Sequence, residues 1–346
     1  MARVDTRPVE SLPAGKTLAV APMMDWTDRH CRYFLRQVSG FARLYTEMIT
    51  TGALVHGDVD RHLAFSPEEH PVAVQLGGCD PHELSFSAKK AQAYGYDEIN
   101  LNVGCPSERV QRGAFGACLM AEPQLVAHCV RAIGEAVKIP VTVKHRTGID
   151  SVQDYDFLAG FVATVKDAGC DTFIVHARNA ILKGLSPKEN REVPPLKYGY
   201  VYRLKKDFPG LQVVINGGIT TAEQVRAHLE QVDGVMIGRS AYHDPWLLAD
   251  GGKTRADVVR AMVPYVERVV AEGGSVRNVA RHMLGLYHGT RRARLWRRMM
   301  SDSVRLRRND PGLLLEALDA VENGGSMIEA CQPTSRKSAV PGSVSA

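Results

Sequence analysis

The chain of 346 residues carries a net charge of +5, and its 45% hydrophobic content is typical of a globular protein. No apolar run approaches the ~18 residues that a membrane span needs, and residues 1–16 lack the apolar core of an export signal. Seven scattered cysteines without a C-x-x-C pair argue against a disulfide framework or a structural zinc site, so we expect a reducing, cytoplasmic location.

Eight short apolar runs recur along the first two thirds of the chain, and each ends in polar or glycine residues. Their β-branched composition predicts strands at residues 18–21, 44–46, 72–76, 99–103, 141–143, 173–175, 213–215 and 235–237. Amphipathic segments of helical length separate most of them, at residues 81–94, 123–137, 154–168 and 221–230.

This alternation of strands and helices indicates parallel βαβ units with right-handed crossovers. Eight such units within about 250 residues are typical of a (β/α)8 TIM barrel. An open doubly wound sheet is the alternative fold, although it usually has fewer strands. We therefore assign residues 1–250 to a TIM barrel.

The pattern changes after Pro245, where Gly251, Gly252 and Lys253 mark a boundary. Helices are predicted at residues 254–272, 276–287, 294–307 and 312–321. Residues 251–330 are therefore expected to form a small all-helical C-terminal domain. Residues 331–346 show no periodicity, and we expect a disordered tail there.

A long polar loop, residues 179–195, follows the sixth predicted strand. A loop of this length on a compact barrel is usually functional or disordered. Leu182, Leu185 and Val193 give it apolar side chains to pack with, so we predict an ordered lid.

The fourth predicted strand ends at Gly104, Cys105 and Pro106. Proline cannot continue a strand, and glycine lets the chain turn. Asn102 and Cys105 are therefore expected at the C-terminal end of a parallel strand, where barrels bind their ligands. A lone cysteine is more often a small buried hydrophobic residue. At this position, however, a thiol that is mostly protonated at neutral pH is suited to donating a proton.

Two glycine sites follow the seventh and eighth predicted strands, namely Asn216-Gly217-Gly218 and Gly238-Arg239. Each glycine site could simply make a tight turn. In a TIM barrel, however, these two loops commonly bind a phosphate through backbone N–H groups, and Arg239 adds positive charge. Two such turns at these two positions favour a phosphate site.

Gln75, Lys144 and His176 lie inside or at the ends of otherwise apolar strands. Each alone has an ordinary explanation, such as a core histidine or an edge lysine. All strand ends of a barrel face one mouth, however, where Gln75 could bond the edge of a flat heterocycle. A cationic Lys144 would stabilise an anionic reduced flavin. With the phosphate site, these residues indicate FMN, and the absence of G-x-G-x-x-G after the first strand weakens a Rossmann-type domain.

The predicted C-terminal domain is strongly basic. Residues 277–308 contain ten arginines and one acidic residue, Asp302, with Trp296 in the densest part. A solvated helix face usually mixes charges of both signs. Arginines with an interleaved aromatic residue suit phosphate contact and base stacking, so we predict that this region binds RNA.

Several motifs resemble those of the tRNA-dihydrouridine synthases, and of their A subgroup best. The longest are Ala21-Pro-Met-Met-Asp-Trp-Thr-Asp-Arg-His-Cys-Arg-Tyr33 and Asn100-Leu-Asn-Val-Gly-Cys-Pro-Ser107. Others lie at residues 44–48, 141–144, 174–178, 185–191 and 215–218, and the resemblance extends over residues 17–321. The chain departs from the family pattern at Asn179, where lysine is frequent, and at residues 288–292.

The resemblance implies a flavin-dependent reduction of uridine to 5,6-dihydrouridine at positions 20 and 20a of the tRNA D-loop. It implies that FMNH2 gives a hydride to C6, that Cys105 gives a proton to C5, and that NADPH re-reduces the flavin. It places FMN on Pro22, Met23, Met24, Gln75, Lys144, His176, Asn216, Gly217, Gly218, Gly238 and Arg239. We expect RNA contacts from Asn102, Arg178, Lys188, Arg191, Arg294, Arg297 and Arg298.

Two other functions stay open at this point. An FMN barrel acting on a small free substrate, such as a dihydroorotate or an enoate, explains the cysteine and the flavin residues but not the arginine cluster. A non-catalytic RNA-binding barrel explains the arginines but leaves the flavin residues without a role. We expect a monomer. We also expect no metal site, because the histidines lack metal-ligand spacing.

Overall fold

The structure is a computed structural model that describes residues 8–324. Eight parallel strands form one sheet in these residues. The strands are β1 (Thr17–Val20), β2 (Leu44–Thr50), β3 (Val72–Gly77), β4 (Glu98–Val103), β5 (Val141–Arg146), β6 (Thr172–His176), β7 (Gln212–Asn216) and β8 (Gly234–Ile237). All eight predicted strands are therefore confirmed.

The sheet closes on itself. Its hydrogen-bonded order is β1-β8-β7-β6-β5-β4-β3-β2, so β1 and β2 are the two ends. Ala19 and Arg43 form a parallel bridge between these ends. The N–H of Val20 donates to the Arg43 carbonyl at 2.9 Å, and the N–H of Arg43 donates to the Leu18 carbonyl at 2.9 Å. The prediction of a (β/α)8 barrel is therefore confirmed, and the alternative, an open doubly wound sheet, is excluded.

The helices cover the outside of the barrel and continue beyond β8. They are α1 (Arg29–Val38), α2 (Thr51–His56), α3 (Val59–Leu63), α4 (Pro81–Tyr94), α5 (Glu108–Arg112), α6 (Pro123–Ala136), α7 (Tyr155–Lys166), α8 (Tyr198–Asp207), α9 (Ala222–Leu229), α10 (Arg239–His243), α11 (Arg255–Ala271), α12 (Val276–Met283), α13 (Ala293–Met300), α14 (Ser303–Arg307) and α15 (Leu313–Glu322). No helix in residues 8–324 is long and apolar enough to cross a membrane.

Two predicted helices are wrong in their extent. The helix predicted at residues 276–287 ends at Met283, and the segment 294–307 is two helices, α13 and α14, with Asp302 between them. The Asp302 carboxylate accepts hydrogen bonds from the N–H groups of Val304 (2.8 Å) and Arg305 (3.0 Å). An aspartate that caps a new helix ends the preceding one, because its own backbone is extended.

Apolar and polar residues share the inside of the barrel. Ala19, Ala73 and Met236 belong to a separate inner cluster of buried side chains. Gln75, Asn100 and Thr142 occupy neighbouring register positions on β3, β4 and β5. Beyond this layer the inner face opens into a mouth at the C-terminal ends of the strands.

The C-terminal helices pack on the barrel through α1, which contacts α11 and α12. Trp296 of α13 is fully buried, and its indole N–H donates to the Met283 carbonyl at 2.8 Å. The prediction that Trp296 stacks on an RNA base is therefore wrong, because the ring belongs to the core. The division at residue 250 stays a prediction, and the predicted tail, residues 331–346, lies outside the described residues.

Candidate active site at the barrel mouth

One large cavity opens at the C-terminal ends of the strands and has a volume of about 1670 Å³. It is lined by Cys105, Asn102 and Arg191 and by all eleven residues expected to hold FMN. These residues come from the ends of seven different strands and the segments that follow them. The barrel thus brings together residues that are up to 217 positions apart in the sequence.

Cys105 lies just beyond the end of β4, half-buried in the cavity wall. Its backbone N–H donates to Oδ1 of Asn102 at 3.0 Å, and the N–H of Gly104 donates to the same oxygen at 3.1 Å. The Cys105 thiol lies 3.6 Å from the hydroxyl of Ser107. The Asn102 side chain therefore holds the turn that presents the thiol, in the way asparagine commonly orders a turn.

The Asn102 amide is in turn held by a buried chain of hydrogen bonds. Its Nδ2 donates to Oε1 of Gln75 (2.8 Å), and Nε2 of Gln75 donates to Oδ1 of Asn100 (2.7 Å). Nδ2 of Asn100 donates to Oγ1 of Thr142 (2.8 Å), which donates to Oε1 of Glu98 (2.7 Å). Each amide has only one orientation that satisfies both of its neighbours. The chain therefore fixes the Cys105 turn from the interior of the barrel.

Arg146, at the end of β5, connects the Cys105 turn to the long loop of residues 179–195. Its buried guanidinium donates to the carbonyl of Gly104 (3.1 Å) and to the carbonyl of Asn190 (2.9 Å). The side chain of Asn190 bonds the backbone of Ile181 in both directions, at 2.7 and 2.9 Å. Burial lowers the pKa of the Arg146 guanidinium to about 10, which still leaves it charged at neutral pH.

Lys144 and His176 place two titratable groups in the same cavity. Burial, with the positive charge of Arg146, lowers the pKa of the Lys144 ammonium to about 7. Burial likewise holds the pKa of His176 well below its usual range, so its imidazole is neutral at neutral pH. In the described part of the chain the Lys144 ammonium has no hydrogen-bond partner. A partnerless cation facing a cavity suits an anionic ligand.

The free energy of unfolding of the ligand-free protein should depend on the protonation state of Lys144. We expect the Lys144→Met variant to be more stable than the wild type at pH 6, and the difference to shrink as the pH rises from about 7 towards 10. Below pH 7 the folded wild type buries a charged ammonium. Above it the folded state gives up the proton that the unfolded chain keeps, so wild-type stability rises. Urea unfolding across this pH range measures the difference.

Lys144→Arg is the matched control, because its guanidinium stays charged over the whole range. Its stability relative to Lys144→Met should therefore not recover at high pH. A wild-type difference that is independent of pH would contradict the lowered pKa.

The loop after β7 forms a tight turn against His176. Gly217 and Gly218 adopt φ angles of +112° and +72°, which favour glycine. A Cβ atom on Gly217 would lie 2.5 Å from Cδ2 of His176, so the backbone reaches the ring directly. The Tyr198 hydroxyl donates to the Gly217 carbonyl at 2.7 Å, and Nδ2 of Asn216 donates to the Met236 carbonyl at 2.8 Å. At the predicted phosphate position the cavity is therefore lined by glycine backbone that carries no side chain.

Arg239 also lines the cavity but has an ion-pair partner. Its guanidinium lies 2.5 Å from Oε1 of Glu192, a residue of the 179–195 loop. The pair joins the first residue of α10, just after β8, to the loop after β6. This contact was not predicted, because the two residues are 47 positions apart in the sequence.

The sequence profile described as dihydrouridine synthase (Dus) matches residues 19–322. The chain belongs to the dihydrouridine synthase family. Three similar proteins carry the name tRNA-dihydrouridine(20/20a) synthase. One from Synechocystis sp. is 55% identical over 321 residues, which cover 90% of this chain and 96% of that protein. One from Escherichia coli K12 is 56% identical over 314 residues, covering 88% and 91%. One from Shewanella oneidensis is 54% identical over 305 residues, covering 85% and 91%.

Some residues expected to bind RNA lie outside the cavity of this family member. The Arg178 guanidinium donates to the carbonyls of Glu192 (3.2 Å) and Pro194, so it supports the 179–195 loop. Lys188 is exposed on that loop. Arg294, Arg297 and Arg298 are exposed on the surface of α13. Within residues 8–324, no cluster of three or more His, Cys, Asp or Glu side chains is arranged to hold a metal ion.

Sequence reasoning missed several residues of the site. Arg146 follows Lys144 and His145 at the end of β5, and this polar ending was the only signal for it. Glu98, Asn100 and Thr142 are buried polar residues in strands, and their pairing depends on the register between strands. Trp26 lies in the longest family motif and lines the cavity. The motif led to the prediction of Pro22, Met23 and Met24 as site residues, but Trp26 was not predicted.

Proposed function

We propose that this protein reduces uridine in the D-loop of tRNA to 5,6-dihydrouridine, at positions 20 and 20a, with FMN and NADPH. The observation that carries the proposal is that the Cys105 thiol and the expected flavin-binding residues line one cavity. The names of the similar proteins support the substrate and the positions. Enzymes of the dihydrouridine synthase family are flavoproteins, which supports the cofactor.

The residues present suit FMN. Lys144 offers an unpartnered cation, and the Gly217-Gly218 turn offers backbone that a phosphate can approach closely. In this proposal Pro22, Met23 and Met24 lie along the ring system, and Gln75, Lys144 and His176 bind its polar edge. Asn216, Gly217, Gly218, Gly238 and Arg239 hold the phosphate end. When bound, FMN supplies the hydride for the uracil ring, and NADPH restores the reduced cofactor.

The protein itself supplies the proton and the geometry. Cys105 holds a proton on Sγ at the cavity wall and gives it to C5 of the uracil. Asn102 and Arg146 hold the peptide unit that joins Gly104 to Cys105, so the position of the thiol needs little rearrangement during the reaction. The remaining Nδ2 hydrogen of Asn102 is free to donate to a uracil carbonyl.

The charges around the cavity suit a polyanion. Eight lysine or arginine side chains but only three carboxylates line it, which favours an anionic ligand over a neutral small molecule. Of the arginines in residues 277–308, three have partners within the described fold: Arg281 with Asp28, Arg292 with backbone carbonyls and Arg305 with Glu316. The others extend into solvent and suit the phosphates of tRNA: Arg277, Arg291, Arg294, Arg297, Arg298, Arg307 and Arg308.

The direct test incubates the purified protein with an unmodified tRNA transcript, FMN and NADPH. Mass spectrometry of the digested RNA should detect dihydrouridine at positions 20 and 20a, and free uridine should react much more slowly. Equal turnover of free uridine or an enone would instead favour the barrel that acts on a small substrate. Cytoplasmic location and a monomeric state stay predictions.

The RNA contact makes a second prediction. Replacing Arg294, Arg297 and Arg298 together by glutamine should weaken tRNA binding and lower its salt dependence. If all three contact phosphates, the slope of log K against log salt should fall by about 2 to 3. Filter binding at several salt concentrations measures both quantities.

The matched control replaces Lys89, Lys90 and Arg131 by glutamine, which removes three exposed cations from α4 and α6 on the outer wall of the barrel. It changes the net charge by the same amount but should leave the slope unchanged. Equal slopes for the two triple variants would place the RNA on another surface.

A further inference from the structure

The cavity is larger than one cofactor site requires. Its volume of about 1670 Å³ exceeds the roughly 300–1,000 Å³ that is usual for a single small-molecule site. Beyond the Cys105 turn it extends along the β1–α1 loop to the first C-terminal helices. There it is lined by Trp26, Arg29, His243, Arg281 and His288. None of these side chains has a role in the chemistry proposed above.

Trp26 is the aromatic ring of this region, and it is supported from behind. Tyr242 stacks against one face of the indole, with ring centroids 4.4 Å apart and planes inclined by 20°. His243 meets the indole edge-on at 5.2 Å. Trp26 lines the cavity whereas Tyr242 does not. Tyr242 therefore covers one face of the indole, and the Trp26 ring is accessible from the cavity.

The loop that carries Trp26 is held in place on both sides. The N–H of Trp26 donates to the Met23 carbonyl at 3.1 Å, and the N–H of Met23 donates to the Thr27 hydroxyl at 3.0 Å. The N–H of Asp25, a residue with φ of +64°, donates to Glu47 at 2.5 Å. Behind the ring, the Tyr242 hydroxyl lies 3.2 Å from Nδ1 of His282 on α12. A platform ordered in advance loses little freedom when a ligand stacks on it.

The charges near Trp26 suit a nucleotide. Burial opposes ionisation of Asp28, but hydrogen bonding to His282, and then the charge of His282, hold the pKa of this carboxyl well below its usual range. Its carboxylate is paired with Arg281 at 2.6 Å, and Asp244 is paired with His288 at 3.3 Å. Arg29 is exposed at the cavity rim and has no ion-pair partner among residues 8–324. An aromatic face beside an available guanidinium matches a base and its phosphate.

We propose that Trp26 binds a second nucleobase of the tRNA D-loop, from the nucleotide adjacent to the reduced uridine, by stacking on its cavity face. Arg29 contacts the phosphate that joins the two nucleotides. This inference rests on the proposed function, because it assumes that the uridine beside Cys105 belongs to an RNA strand. Unstacking the neighbour from the D-loop helps the uridine to leave its own stack.

The test compares Trp26→Leu, Trp26→Phe and the matched control Trp246→Leu in flavin-loaded enzyme. The Trp246 ring packs against Arg255 at 4.2 Å and does not line the cavity. Stacking on one ring contributes enough that Trp26→Leu should raise the Kd for tRNA by about 5- to 100-fold. The change should also appear in KM. Trp26→Phe should retain most of the affinity, and Trp246→Leu should retain all of it.

A crosslinking experiment identifies the ligand. Transcripts carrying 5-iodouridine on either side of the target uridine are irradiated with the enzyme, and the crosslinked peptide is sequenced. We expect a crosslink to Trp26, and the same crosslink in the Cys105→Ala variant. Unchanged Kd and KM in Trp26→Leu, or a crosslink to another residue, would overturn the proposal. So would a changed flavin content or flavin spectrum in Trp26→Leu, because the ring would then be a cofactor contact.

These outcomes are separable from failure of the proposed function. If the wild type bound tRNA and crosslinked through Trp26 but formed no dihydrouridine, the proposed stacking site would be supported and the proposed reaction contradicted. If dihydrouridine formed but Trp26→Leu bound tRNA normally, the proposed reaction would be supported and the stacking site contradicted.

Discussion

Replacing Cys105 by alanine is expected to lower the rate of dihydrouridine formation by about 10²- to 10⁴-fold, the usual contribution of a general acid. The variant should keep its flavin and its affinity for tRNA, because the backbone hydrogen bond from Cys105 to Asn102 does not involve the sulfur. Single-turnover kinetics with pre-reduced enzyme measures the chemical step without the contribution of NADPH. Flavin absorbance and filter binding measure the other two properties.

Cys79→Ala is the matched control for this variant. Cys79 is also half-buried on a loop after a barrel strand, and its sulfur lies 4.0 Å from the Gly113 carbonyl, but it does not line the cavity. Its removal should leave the rate unchanged. Cys105→Ser should also be slow, because a hydroxyl is a much weaker acid than a thiol. Wild-type rates in Cys105→Ala would show that the proton comes from another group or from water.

The sequence predicted those parts of the site that are marked by a local change of residue type at the end of a strand. Each apolar run ends in polar or glycine residues, and a closed barrel brings all eight ends to one mouth, so Cys105, Lys144 and His176 could be placed together. Gly217 and Gly218 were equally visible, because positive φ angles need glycine. The spacing of residues along the chain carried this information, without any knowledge of distances between strands.

Side-chain pairings between distant segments could not be predicted in the same way. Arg239 pairs with Glu192, a contact that the sequence does not indicate, and Arg178, which had been expected to contact RNA, bonds two loop carbonyls. Composition cannot distinguish an arginine whose side chain supports a loop from one that is free to bind a phosphate. Trp296 failed for a related reason, because an aromatic residue among arginines can face the core of a helical domain as readily as solvent.

The buried chain of hydrogen bonds depends on strand register, and it leads to the last prediction. Glu98 lies at the inner end of that chain, where its carboxylate accepts hydrogen bonds from Tyr45 (2.6 Å) and Thr142 (2.7 Å) and pairs with Arg43. Glu98→Ala should lower the free energy of unfolding by about 3 kcal/mol, because it leaves two buried hydroxyl groups without an acceptor. Arg43 adds less to this loss, since its side chain is 34% exposed and can be solvated. Urea unfolding of the flavin-free protein measures the change.

Two further variants test whether Glu98 acts through the chain or only through its ion pair. Thr142→Val cuts the chain between Glu98 and Asn100 and leaves the Arg43 pair intact, so it should cost about 1 to 3 kcal/mol. Arg43→Met removes the pair and leaves the chain intact. If the chain orders the site, Thr142→Val should also slow dihydrouridine formation. Asn100 would lose the acceptor that fixes its amide orientation, and the orientations of Gln75 and Asn102 depend on Asn100 in turn. A loss of stability in Thr142→Val without any loss of rate would show that the Cys105 turn is ordered locally, by Asn102 and Arg146 alone.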